Sequence, residues 1–116
     1  MKKYKISVRT RLLIDDKVIY GQGISQLLQQ IDTLKSIRLA AKEMGMTYRK
    51  ALSIINIAEE GLHQQLLIKK IGGIDGGGSY LTAFGKEFMD QFKNFENDIL
   101  DYSNDKFKEY FKGFNQ

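Results

Sequence analysis

Residues 40–52, AAKEMGMTYRKAL, decide the fold. Two alanines, Ala40 and Ala41, precede Gly45; Thr47 follows, then Tyr48-Arg49-Lys50. Each has a use where two helices meet at a tight turn. Helices that cross closely need small side chains at the crossing, and the alanines supply them. The chain must then turn sharply, and glycine enters the left-handed region without steric cost. A threonine hydroxyl can accept from a backbone N–H three residues on and so start the next helix. Beyond it the spacing predicts a helix with Ala51, Ile54, Ile55 and Ala58 facing inward and an end at Gly61. Its outer stripe is polar and cationic: Thr47, Tyr48, Arg49, Lys50 and Ser53.

Working toward the N-terminus, Ile24, Leu27, Leu28, Ile31 and Leu34 fall at helical spacing, which predicts a first helix from Gly23 to about Thr33. Ser36 stands where it can cap a second helix, whose inner face is Ile37, Ala40, Ala41 and Met44. Before these, residues 5–14, KISVRTRLLI, alternate in period 2 with Ile6, Val8, Thr10 and Leu12 on one side. That predicts a strand with one buried face, a polar turn at Asp15-Asp16-Lys17, and a brief partner at Val18–Tyr20.

Toward the C-terminus, LLIKK at 66–70 reads as a short strand and SYL at 79–81 as its return, with five glycines among residues 72–78 between them. Thr82 is placed to cap a long helix. There Phe84, Phe88, Phe92, Phe95, Ile99 and Tyr102 recur every three or four residues and trace a seam of period near 3.5. The register slips after Ser103-Asn104, so Phe107, Tyr110, Phe111 and Phe114 read as a separate short segment. The order is strand, three helices, hairpin, long helix. The expectation is a mainly α fold with a small β-hairpin wing: a winged helix-turn-helix over residues 1–83, and a helical dimerisation extension over 84–116.

Charge divides the chain. Residues 1–50 carry 11 Lys/Arg against 4 Asp/Glu, while residues 51–116 carry 7 against 10. A basic front half fits a polyanionic partner. In a helix-turn-helix, the N-terminal part of the second helix enters the DNA major groove. Arg49 is then the leading base reader, because a guanidinium meets guanine with two hydrogen bonds. Lys50 reads as a phosphate contact and Arg38 as a backbone clasp, joined by Thr47, Tyr48 and Ser53. Lys69 and Lys70 would meet phosphates from the wing stem, with Gly76 and Gly77 allowing close approach. A solvated helix face is the plainer reading of any one of these residues. The combination with a hairpin in the right order favours double-stranded DNA.

Phe88, Phe92, Phe95, Ile99 and Tyr102 are the candidate dimer interface, with Phe84 and Phe88 packing on the domain itself. A two-fold pair would present two recognition helices about 34 Å apart, one turn of DNA. Catalysis finds no support: His63 is the one histidine, there is no cysteine, and no cluster spaced to hold a metal is visible, so no cofactor is expected. The glycine run is not a phosphate-binding P-loop, which would end in Gly-Lys-Ser/Thr at a helix start, whereas Gly78 leads into Ser79-Tyr80. Glu59-Glu60 reads as helix-end solvation. No apolar run approaches the ~20 residues of a membrane span and the start lacks a signal-peptide core, so the expected location is the cytoplasm.

The stretch AAKEMGMTYRKAL followed by GGIDGGGSYLTAFGKEF resembles the N-terminal DNA-binding domain of the molybdate-responsive ModE regulators, which share the LysR-type winged helix. The matching residues are Gly45, Met46, Thr47, Tyr48, Arg49, Lys50 and Ala51, then Gly72-Gly73, Gly76-Gly77-Gly78, Leu81-Thr82 and Gly85. The resemblance runs over roughly residues 5 to 100 and implies DNA binding and dimerisation. Three features depart from the family. Ile74-Asp75 stands where its wing carries a basic residue; Leu52 stands where it has tryptophan; and, with 116 residues, the family's molybdate-binding domains are expected to be missing. An acidic wing tip is repelled by phosphates. It keeps open an alternative, a winged-helix protein-interaction module with weak or no DNA binding.

Overall fold

The computed structural model describes residues 4–71 and 77–113. The elements are β1 (Leu12–Ile14), β2 (Lys17–Tyr20), α1 (Gln22–Leu34), α2 (Ile37–Glu43), α3 (Tyr48–Leu62), β3 (Leu67–Lys70), β4 (Gly78–Leu81) and α4 (Ala83–Tyr110). The chain is mainly helical, with two separate antiparallel hairpins, β1–β2 and β3–β4, and a long C-terminal helix. This is a winged-helix-like arrangement.

Local chemistry sets the helix starts. The Ser36 hydroxyl accepts from Leu39 N at 3.1 Å, that of Thr47 from Lys50 N at 3.1 Å, and that of Thr82 from Gly85 N at 2.9 Å. Gly45 takes φ +69, the left-handed turn required between α2 and α3. Ala40, Ala41, Ala51 and Ala58 are buried, so small side chains line the crossings of the three-helix head. Around them close Leu27, Leu28, Ile31 and Leu66, all fully buried. Tyr20 joins α4 to this core: its ring meets Phe88 edge-on at 4.7 Å and Phe92 at 4.8 Å.

The structure corrects four expectations. First, only Leu12–Ile14 of the stretch 5–14 is strand. A strand needs a partner for its backbone, and β2 has only four residues to offer. Residues 4–10 instead run along α4 in the opposite direction. Tyr4 lies by Phe107 with ring centroids 6.5 Å apart, Ile6 N donates to Asn104 Oδ1 at 3.2 Å, and the Thr10 hydroxyl donates to Glu96 at 2.8 Å. Nor does β1 bury a face: Leu12, Leu13 and Ile14 are all exposed.

Second, α3 does not stop at Gly61 but runs to Leu62, with His63 taking the left-handed cap at φ 55. Gly61 is there for packing. A Cβ at that position would lie 2.6 Å from Ile19 Cδ1. Third, α4 is continuous through Ser103-Asn104, because the polar pair sits on a helix already held by the strap of residues 4–10. Fourth, Glu59 is a structural acceptor, its carboxylate taking the N–H groups of Leu66 at 2.8 Å and Leu67 at 3.2 Å. It thereby satisfies backbone donors at the point where the wing begins.

Candidate nucleic-acid interface

The outer face of α3 begins at the Thr47 cap. Arg49, Lys50 and Ser53 are exposed there, with no intramolecular partner recorded among the described residues that would hold them back. Tyr48 differs. It is half-buried, with the Arg38 guanidinium 4.1 Å from its ring centroid and its hydroxyl accepting from Lys69 Nζ at 3.3 Å. One tyrosine on α3 therefore ties a cation from α2 to a cation from β3.

A second tyrosine repeats the arrangement. Tyr80 on β4 has Lys70 Nζ 4.9 Å and Lys35 Nζ 5.6 Å from its ring. The main chain brings these groups together. Ser79 N donates to Lys35 O at 3.0 Å, which pins β4 to the corner between α1 and α2. Gly78 permits that approach, since a Cβ there would stand 3.0 Å from the same carbonyl. Lys35 itself has φ 58, the left-handed end of α1. The result is a cleft of about 260 Å³ whose lining includes Lys35, Arg38, Tyr48, Lys69, Lys70 and Gly77.

Of the expected DNA-facing residues, then, Arg38, Tyr48, Lys69, Lys70 and Gly77 gather at one cleft, while Thr47, Arg49, Lys50 and Ser53 occupy the start and outer face of α3. Gly76 lies outside the described residues, as do Ile74 and Asp75. Lys35 and Tyr80 were not anticipated. Lys35 lines the cleft, and Tyr80 stands behind its lining against Lys35 and Lys70; neither carries a local pattern that marks it.

Behind the cleft, Asp32 receives Lys86 Nζ at 3.2 Å and Lys35 Nζ at 3.5 Å. Burial alone would raise the Asp32 carboxyl; the hydrogen bond and charge of Lys86, joined by Lys35, outweigh it and hold the group below the ordinary carboxylate value. In the core, burial pushes the Tyr20 hydroxyl up, Ser25 lowers it and the charge of Glu96 raises it. That hydroxyl is enclosed without a hydrogen bond of proper geometry among the described residues.

The α4 seam is split between two environments. Phe84, Phe88 and Phe92 are partly buried against the head, so Phe92 already has a partner in its own subunit. Phe95 and Tyr102 are 52% and 62% exposed, and Ile99 is half-buried. Phe107 pairs with Phe111 at 5.0 Å beneath the strap; Phe114 lies outside the described residues. No group of three or more metal-ligating side chains occurs among the described residues, and no helix is long and apolar enough to cross a membrane.

No protein-family profile matches the chain. Among curated proteins it is similar to the molybdenum transport protein ModE of Azotobacter vinelandii, at 30% identity over 71 residues, 61% of this chain. The chain spans 26% of that protein's length. The relationship is ModE-like at modest identity.

Proposed function

We propose that this protein is a sequence-specific, dimeric DNA-binding transcriptional regulator of ModE-like kind, acting in the cytoplasm. The N-terminal part of α3 enters the major groove. Arg49 reads a base edge and Lys50 meets a phosphate. Residues 1–83 form the DNA-binding head. The extension at 84–116 pairs two chains through Phe95, Ile99 and Tyr102, with Phe88 and Phe92 shared between that contact and the head.

One observation carries the reading. A capped helix presents Arg49, Lys50 and Ser53 to solvent immediately beside a cleft that gathers Lys35, Arg38, Lys69 and Lys70. The kinship and the resemblance of residues 5 to 100 support it. The test is selection of bound duplexes from a random pool, with binding followed across salt. A regulator that neutralises several phosphates loses affinity steeply as salt rises, the slope being about −0.9 per contact.

A second reading, a winged-helix protein-interaction module, is favoured by the charge of α4, where four lysines face seven carboxylates. Its signature is weak, salt-insensitive binding to every duplex.

A further inference from the structure

We infer that the cleft between the α1–α2 corner and the wing stem is a dedicated seat for a DNA phosphodiester segment, and that Tyr48 and Tyr80 are its positioning residues. This rests on the DNA-binding reading above, and divides the interface into a reading part and a holding part.

Symmetry of construction is the first ground. Each tyrosine is flanked by one cation from the corner and one from β3: Arg38 over the Tyr48 ring with Lys69 at its hydroxyl, and Lys35 and Lys70 over the Tyr80 ring. A protein holds surface cations in place most simply with carboxylates. Of these four cations, only Lys35 meets one among the described residues, Asp32 at 3.5 Å, and that carboxylate is nearer to Lys86. An aromatic face attracts a cation through its quadrupole without carrying opposite charge. Three cations are thus positioned by ring faces and Lys69 by the Tyr48 hydroxyl, while most of their charge stays available to an anion.

Rigidity is the second ground. The Lys69–Tyr48 hydrogen bond joins β3 to α3, and the Ser79–Lys35 backbone bond joins β4 to the corner. Glu59 fixes the first residues of the wing from the other side. An anion entering the cleft meets donors already in place, which reduces the ordering cost of binding.

Separation is the third ground. Arg49, Lys50 and Ser53 do not line the cleft. Phosphate contacts fix the register of a protein on the duplex, and base contacts specify sequence. The cleft therefore supplies affinity common to all duplexes, leaving selectivity to Arg49. Tyr48 works as a strut, holding Arg38 and Lys69, rather than as a base reader.

The test uses the full chain, a fluorescent duplex from the selection and a random duplex, with anisotropy read across potassium chloride concentration. Wild type, Tyr48→Phe/Tyr80→Phe and Tyr48→Leu/Tyr80→Leu are compared, with thermal unfolding of each. The expected result is that the leucine pair weakens both duplexes alike by about tenfold and flattens the salt slope by about two contacts, at about 0.9 each. The phenylalanine pair keeps the rings but loses the Lys69–Tyr48 hydrogen bond, and is expected to fall between wild type and the leucine pair, about threefold below wild type.

If the leucine pair does not fold, Arg38→Gln/Lys70→Gln takes its place, with the same uniform weakening and a slope lower by about 1.8. A folded leucine or glutamine pair with unchanged affinity and slope overturns the inference and leaves the DNA-binding reading standing. So does a phenylalanine pair as impaired as the leucine pair. Wild type that binds no duplex overturns both. Inorganic phosphate is added as a competitor at matched ionic strength: equal displacement by phosphate and chloride is expected, while selective displacement by millimolar phosphate marks a free-anion site and overturns the assignment to DNA.

Discussion

The head and the tail of this molecule are opposites. The head, α1 to β4, is closed: its core side chains are enclosed, and Lys35, Arg38, Lys69 and Lys70 are held against two tyrosines. The tail, the distal half of α4, is open, with Phe95, Tyr102 and Tyr110 exposed by 52%, 62% and 76%. The overall dimensions say the same. A compact chain of this length has a radius of gyration of about 13 Å. Here it is 17.7 Å, with a long axis of 62 Å, because the 28 residues of α4 extend ~42 Å. A single strap of residues 4–10 does not cover such a rod. The head has the makings of a finished fold, and the tail has those of half an interface.

The comparison breaks most visibly where the two regions are joined. At Gly85, in the first turn of α4, a Cβ would collide with the main chain of Leu66, which has no rotamer through which to yield. Gly85→Ala is expected to cost about 3 kcal/mol, measured by chemical unfolding. A loss under about 0.5 kcal/mol would show that α4 is not locked to the head.

Next in size is the seam itself. Phe92 is a poor probe of pairing, since removing it also strips a neighbour from Tyr20. Phe95 is cleaner, being exposed in the subunit. Phe95→Asp places a charge in an apolar contact and is expected to weaken association by about 2 kcal/mol or more, with unfolding of the head unaltered. Light scattering that still gives a dimer at low micromolar concentration would place the interface elsewhere.

The same contrast explains what could be read in advance. Ser36, Gly45, Thr47 and Thr82 declare themselves because caps and turns are local chemistry, settled within three or four residues. The alternation of Ile6, Val8 and Thr10 reports a chain with one covered side; it does not say whether a strand or a helix does the covering. The register slip after Ser103-Asn104 hides a continuous helix because the role of Asn104, accepting from Ile6 N, comes from 98 residues away. Gly61 and Glu59 are opaque for the same reason, one being small for Ile19 and the other an acceptor for the backbone of the wing. At the interface, the exposed stripe of α3 followed from periodicity. The pairing of Lys35 with Tyr80 did not, since it depends on how β4 docks on the corner.

Within the head, a smaller contrast separates reading from holding. Arg49→Ala is expected to cost about 1–3 kcal/mol on the preferred duplex and to relax preference at one base position. Lys50→Ala should weaken all duplexes alike and lower the salt slope by about 1. Equal behaviour of the two variants in a competition between preferred and random DNA would remove the distinction.

The smallest expected effect lies at Asp32, which links head and tail through Lys86 and the cleft through Lys35. Because its pairing holds the carboxyl below its ordinary value, the folded state binds the proton more weakly than the unfolded chain. The stabilisation is therefore fully present above the ordinary carboxylate value and is lost as pH falls through the lowered one. Lys86 and Lys35 are largely solvent-exposed, so screening limits the gain to about 0.5 kcal/mol. Asp32→Asn should unfold slightly earlier than wild type at neutral pH, with the gap closing in acid and shrinking in high salt. A gap that instead widened in acid would mean that the Asp32 carboxyl is held protonated by its burial, and that Lys86 does not bridge α4 to α1.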